Sequence, residues 1–116
     1  MQTNKENIIV DLTFAFAADA IRFCNTSLKD KNRNINYQLS RSGTSVGANV
    51  REAQNAESKS DFIHKMKIAT KEADESEYWL LLIKEVYNLA ETESLLSQIV
   101  SINEVLSKII SSSKRK

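Results

Sequence analysis

The sequence predicts an all-α protein, an antiparallel up-down-up-down four-helix bundle. Three observations predict it: no proline and only two glycines in 116 residues, apolar residues recurring at spacings of three and four, and short polar breaks between those runs. Ordinary chains carry about 5% proline and 7% glycine, and an all-β chain needs such residues at its many tight turns. The length points to a single domain over residues 1–116. A mass of 13.1 kDa is enough to bury a core without disulfides or metal. Cys24 is the only cysteine and has no intramolecular disulfide partner, which fits a reducing compartment.

The first helix is expected over about residues 4–28. It opens on Thr3-Asn4-Lys5-Glu6, where a Thr hydroxyl and a Glu carboxylate can satisfy the orphan amides of a helix start. Ile9, Leu12, Phe16, Ala20 and Phe23 then form one apolar face. Residues 29–34 hold three basic residues, one Asp and two Asn without periodicity, and Asn tolerates the left-handed conformation that ends helices. The second helix, about 35–56, carries the stripe Leu39, Gly43, Val46, Val50 and Ala53.

Ser58 or Ser60 caps the third helix, with Asp61 favourably placed against the macrodipole. Its stripe is Phe62, Met66, Ala69, Ala73, Ser76, Leu80, Ile83 and Tyr87. At about 1.5 Å per residue, this helix is a rod of roughly 43 Å, expected over about 60–89. The pattern stops after Asn88, and Thr92 is the expected cap of the fourth helix, about 92–111. Leu95 or Leu96, Ile99, Ile102, Leu106 and Ile109 line its buried face, and residues 111–116 are expected to fray. Short connections make sequential helices antiparallel, and near-heptad spacing favours shallow, left-handed crossings.

The formal net charge is +1, which gives no global field of the kind that drives non-specific nucleic-acid binding. No apolar run is long enough for a membrane span, and the amino terminus lacks a secretion signal. A cytoplasmic protein without membrane attachment is therefore expected. Two-metal carboxylate bundles need a Glu-x-x-His pair on each of two helices, whereas this chain has one histidine. Asp61 and His64 read as a capping carboxylate and a surface imidazole, and Cys24 as a packing residue without an oxyanion hole or orienting group nearby. The run from Gly43 to Gly47 lacks the Lys and hydroxyl residue of a phosphate loop. No enzyme, cofactor, metal or small-molecule substrate is expected.

Two segments are apolar around most of the helix, residues 14–18 and 78–83, as in helices buried on all sides. Tyr78, Trp79 and Leu82 lie off the main stripe and read as anchors of a subunit interface; a wide stripe serving both neighbouring helices is the blander explanation. The small residues Gly43, Ser45 and Gly47 suit close helix packing, because each interior Gly costs about 1 kcal/mol relative to Ala and needs a compensating contact. An accessible groove edged by Arg41 and Arg51 is the alternative. Glu72 and Glu75 flank Ala73, so either can reach Arg41 or Arg51 across the interface and fix register. Lys29, Lys31 and Arg33, with the tail Lys114, Arg115 and Lys116, are the candidate nucleic-acid contacts.

Two stretches together resemble a known family: Leu39-Ser40-Arg41-Ser42-Gly43-Thr44-Ser45-Val46-Gly47-Ala48-Asn49-Val50-Arg51-Glu52-Ala53 and Ala69-Thr70-Lys71-Glu72-Ala73-Asp74-Glu75-Ser76-Glu77-Tyr78-Trp79-Leu80. They are similar to the small bacterial four helix bundle proteins, also called 23S rRNA intervening-sequence proteins. The resemblance implies a bacterial protein and a ring-like homo-oligomer, a pentamer, by similarity to members that include the accessory proteins of diversity-generating retroelements. Those accessory proteins bind a reverse transcriptase and nucleic acid through a very basic surface, from which this chain departs at +1. The family carries no established catalysis, so none is transferred to Glu52, Glu72 or Glu77. A non-enzymatic assembly or interaction module is the expected function, with itself as partner and RNA or another protein as a further one. A nucleic-acid-binding accessory protein is the alternative.

Overall fold

Four helices carry these stripes: α1 (Asn4–Asn25), α2 (Arg33–Ala53), α3 (Lys59–Tyr87) and α4 (Thr92–Arg115). The computed structural model describes residues 4–115, with side chains from Ile8 onward. Thr3 of the expected capping box and Lys116 lie outside the described residues, as does the Glu6 side chain.

Cross-helix bonds fix the antiparallel order. Ser42 meets Ser76 while Glu52 meets Lys65, so α2 and α3 run oppositely. Gly43 faces Ala20 while Gly47 faces Thr13, which sets α1 against α2. Lys84 pairs with Glu93 across the α3–α4 connection, and Gln98 reaches Asp19 to close α4 onto α1. Each helix lies beside its two sequential or closing neighbours, and the backbones of the diagonal pairs α1–α3 and α2–α4 stay more than 8 Å apart among the described residues, meeting only through the shared core. The result is a square bundle 45 Å long and 20 Å by 18 Å across, with its length set by α3.

Every apolar stripe turns inward. Leu39, Gly43, Val46, Val50 and Ala53 of α2 are buried, as are Ile99, Ile102, Leu106 and Ile109 of α4. On α3 the buried residues run from Met66 to Ile83, with Phe62 and Tyr87 half-buried at its ends. Ile9, Phe16, Ala20 and Phe23 supply the α1 face; Leu12 is half-buried. Thr13, absent from the expected stripe, is also buried, because its hydroxyl donates to the Ile9 carbonyl at 2.8 Å and so enters the core satisfied.

Helix ends depart from expectation where local hydrogen bonds decide. Helix α1 stops at Asn25 rather than near Leu28: the Leu28 N–H bonds back to the Phe23 carbonyl at 3.0 Å, and Asp30 takes a left-handed φ of 67°. Leu28 still drops into the core. Helix α2 begins two residues before the expected Ile35, because the Asn32 side chain accepts from the Ile35 N–H at 3.0 Å and caps it. It ends at Ala53, three residues early, with Gln54 to Ala56 in turns. Ser58 caps α3 and left-handed Asn88 closes it. Thr92 is a correction: it is the first residue of α4, and its buried hydroxyl accepts and donates no hydrogen bond. Helix α4 also continues through Ser111 to Arg115, where Arg115 bonds back to the Ser111 hydroxyl at 3.0 Å.

Candidate functional site

The α2–α3 interface holds the densest polar cluster. Arg41 donates to Glu72 at 3.2 Å and also to Glu75, and the Trp79 indole N–H donates to the same Glu75 oxygen at 3.0 Å. The Trp79 hydrogen bond, with the Arg41 guanidinium beside it, holds the Glu75 carboxyl below the usual carboxylate range; the Glu75 hydrogen bond in turn raises Arg41. Beside this cluster the Ser76 hydroxyl lies in the buried seam within 2.9 Å of both the Ser42 hydroxyl and the Glu72 carbonyl. Small hydroxyl residues on both helices allow this approach and satisfy each other.

Of the four residues expected in an interhelix network, Arg41, Glu72 and Glu75 come together and Arg51 does not. Arg51 sits ten residues further along α2, about 15 Å by helical rise, and lines a groove of about 210 Å³ with Phe14, Thr44 and Gly47. The two glycines face α1. A Cβ on Gly43 would meet Ala20 and Phe16 at 3.4 and 3.5 Å, whereas one on Gly47 would crowd the Thr13 carbonyl and hydroxyl at 3.3 Å. The Ser45 hydroxyl turns back onto its own helix and donates to the Arg41 carbonyl at 2.7 Å.

Besides Ile8, Tyr37 and Val100, the large apolar side chains left in water fall on α1 and α3. On α1, Val10, Phe14, Ala17 and Ile21 repeat at spacings of four, three and four, and Phe14 is 72% exposed. On α3, Tyr78 is 56% exposed, and Leu81 and Val86 further along the helix are also exposed. Tyr78 stands edge-on to Trp79, their rings 5.2 Å apart. Trp79 and Leu82, expected as anchors beside Tyr78, are half-buried, and Trp79 packs against the core. Leu81 lies within the 78–83 segment but is not among the expected anchors, and Val86 lies outside that segment, because apolar identity alone does not say which side of a wide stripe a neighbour covers.

The two basic groups are separated. Lys29, Lys31 and Arg33 are exposed at the α1–α2 connection, while Lys114 and Arg115 are exposed at the far end of α4. The antiparallel order puts these at opposite ends of the bundle. Lys29 and Arg33 line an open cleft of about 500 Å³ with Asp30, Asn36 and Tyr37; Tyr37 had not been singled out in the sequence. Cys24 borders the same cleft from within. Burial pushes its thiol up to about 11, and the Asn36 amide donates to the Cys24 carbonyl at 2.7 Å. His64 is exposed, and the Asp61 carboxylate accepts from the Glu57 N–H at 3.1 Å, an end-of-helix role.

An antiparallel four-helix bundle whose α1–α2 seam is built on small residues, and whose polar groups knit helices together, defines a compact helical module. The chain belongs to the 23S rRNA-intervening sequence protein family, whose model matches residues 5–111. It is similar, at 38% identity and a TM-score of 0.87, to a crystal structure of a protein of unknown function from the S23 ribosomal protein family of Bacteroides thetaiotaomicron. The match covers 92% of this chain and 98% of that one. No curated protein matches the chain. No helix among the described residues is long and apolar enough to cross a membrane.

Proposed function

We propose that this protein is a non-enzymatic, cytoplasmic module that assembles with copies of itself into a ring of five and acts by presenting that assembly to a partner. The observation that carries the reading is the pair of exposed apolar surfaces on α1 and α3. Monomeric proteins rarely leave contiguous apolar patches in water, and here the helices that bear them occupy diagonal corners of the bundle. A two-fold contact through one patch leaves the other wet. A head-to-tail contact of the α1 surface on the α3 surface covers both in every copy once the rotation between copies closes a ring. The resemblance to ring-forming relatives supports the same arrangement.

Sedimentation velocity on single-residue variants tests this. Phe14→Glu and Tyr78→Glu each place a charge on one of the two surfaces, and each should release helical monomers. Both positions are exposed, so the fold of the protomer should survive. Variants that sediment like the parent chain would overturn the head-to-tail arrangement.

A further inference from the structure

We propose that the cleft at the α1–α2 corner binds a nucleotide unit, with its base stacked on Tyr37 and its phosphate held by Arg33 and Lys29. The cleft has a volume of about 500 Å³, inside the range of roughly 300–1,000 Å³ typical of small-molecule sites. Its lining combines the three chemistries that a nucleotide requires.

An aromatic face comes first. Tyr37 is 63% exposed, and the only aromatic ring pair among the described residues is Tyr78 with Trp79 at the α3 surface. Its ring therefore stands at the cleft without an aromatic partner, as a stacking platform does. Cations come second. None of the ion pairs among the described residues involves Lys29 or Arg33, and Arg33 is the first residue of α2, whose amino-terminal dipole adds positive potential. Polar amides come third: Asn36 spends its NH₂ on the Cys24 carbonyl, leaving its side-chain oxygen to accept from a base edge.

The acid in the cleft sharpens the ligand. Asp30 lies beside the two cations, so the side-chain charge of the lining is +1 with Lys29, Arg33 and Asp30 counted. That matches one phosphodiester or monophosphate better than a triphosphate. The inference does not rest on ring assembly, because the residues assigned to the ligand, Lys29, Arg33, Asn36 and Tyr37, are none of those on the α1 and α3 apolar surfaces.

Fluorescence anisotropy with a labelled short single-stranded oligoadenylate at low salt tests it, with adenosine monophosphate as competitor. The oligonucleotide should bind, and Tyr37→Ala should weaken binding roughly tenfold or more while Tyr37→Trp retains it. Arg33→Ala should weaken binding and lower the slope of log affinity against log salt by about 0.7. Lys71→Ala, which removes an exposed cation of α3, should change neither. Displacement by the monophosphate identifies a free nucleotide as the ligand; binding of the oligonucleotide alone identifies a nucleic-acid strand. No binding of either probe by the folded chain, or Tyr37→Ala binding like the parent, overturns the proposal.

Discussion

Gly47 packs directly on Thr13: a Cβ on Gly47 would lie 3.3 Å from both the Thr13 carbonyl oxygen and its hydroxyl. That hydroxyl is tied to the Ile9 carbonyl, and the carbonyl belongs to helix backbone, so neither retreats easily. Gly43 differs, because its added Cβ would sit at ordinary contact distance from Ala20 and Phe16. Gly43→Ala should therefore keep most of the roughly 1 kcal/mol that Ala gains over Gly in a helix and raise the melting temperature. Gly47→Ala should fail to gain it and melt lower than Gly43→Ala. The larger Gly43→Leu overpacks the seam and should cost about 1–3 kcal/mol or more, disrupting assembly with the protomer. Thermal melts of the three variants check the order.

The buried Ser42 hydroxyl finds its hydrogen bond at Ser76, whereas Ser76 also has the Glu72 carbonyl within 2.9 Å. Ser76→Ala leaves the Ser42 hydroxyl in the core without its donor, a loss of about 1–3 kcal/mol. Adding Ser42→Ala removes the stranded group and should recover much of that. Denaturant unfolding of the two single variants and the double variant measures the coupling, and strict additivity would show that the contact contributes nothing.

Glu75 makes stability pH-dependent. Its folded carboxyl is held below the ordinary value of 4.5 by the Trp79 N–H and by Arg41. The stabilisation is thus complete above 4.5 and is lost as pH falls through the lower folded value. Both partners are about one-third exposed, so screening keeps the ion pair within about 1 kcal/mol. Trp79 is the only tryptophan, and its fluorescence reports the transition directly. In Glu75→Gln, stability should fall less steeply with acid than in the parent chain.

Cys24 should be chemically silent in the folded chain. Its thiol is buried and raised from 9.0 to about 11, so thiolate is scarce at neutral pH. A disulfide reagent should react slowly with native protein and rapidly after unfolding. The raised thiol also predicts stability that is complete below 9.0 and declines as pH rises toward 11.

The apolar stripes of α2, α3 and α4 were legible because three-and-four spacing maps directly onto one helix face; Val46, Ala73 and Leu106 fall where that spacing puts them. Ends were less legible. Leu28 continues the apolar pattern into the core after the backbone has left the helix, so burial outran helicity there. Thr92 looks like a cap in sequence, yet only geometry reveals that its hydroxyl finds no amide. The Arg41–Glu72–Glu75 cluster followed from residue spacing, and Arg51 was excluded only by where α2 turns it. Tyr37 was invisible as a site residue because its neighbour Lys29 reaches the cleft through a turn, not along a helix face.

Self-assembly is tested most directly by light scattering behind a sizing column at micromolar concentration. A particle of five times the 13.1 kDa protomer mass is the predicted result. A particle of 13.1 kDa would mean that the apolar surfaces on α1 and α3 stay in water, and would contradict the proposed assembly.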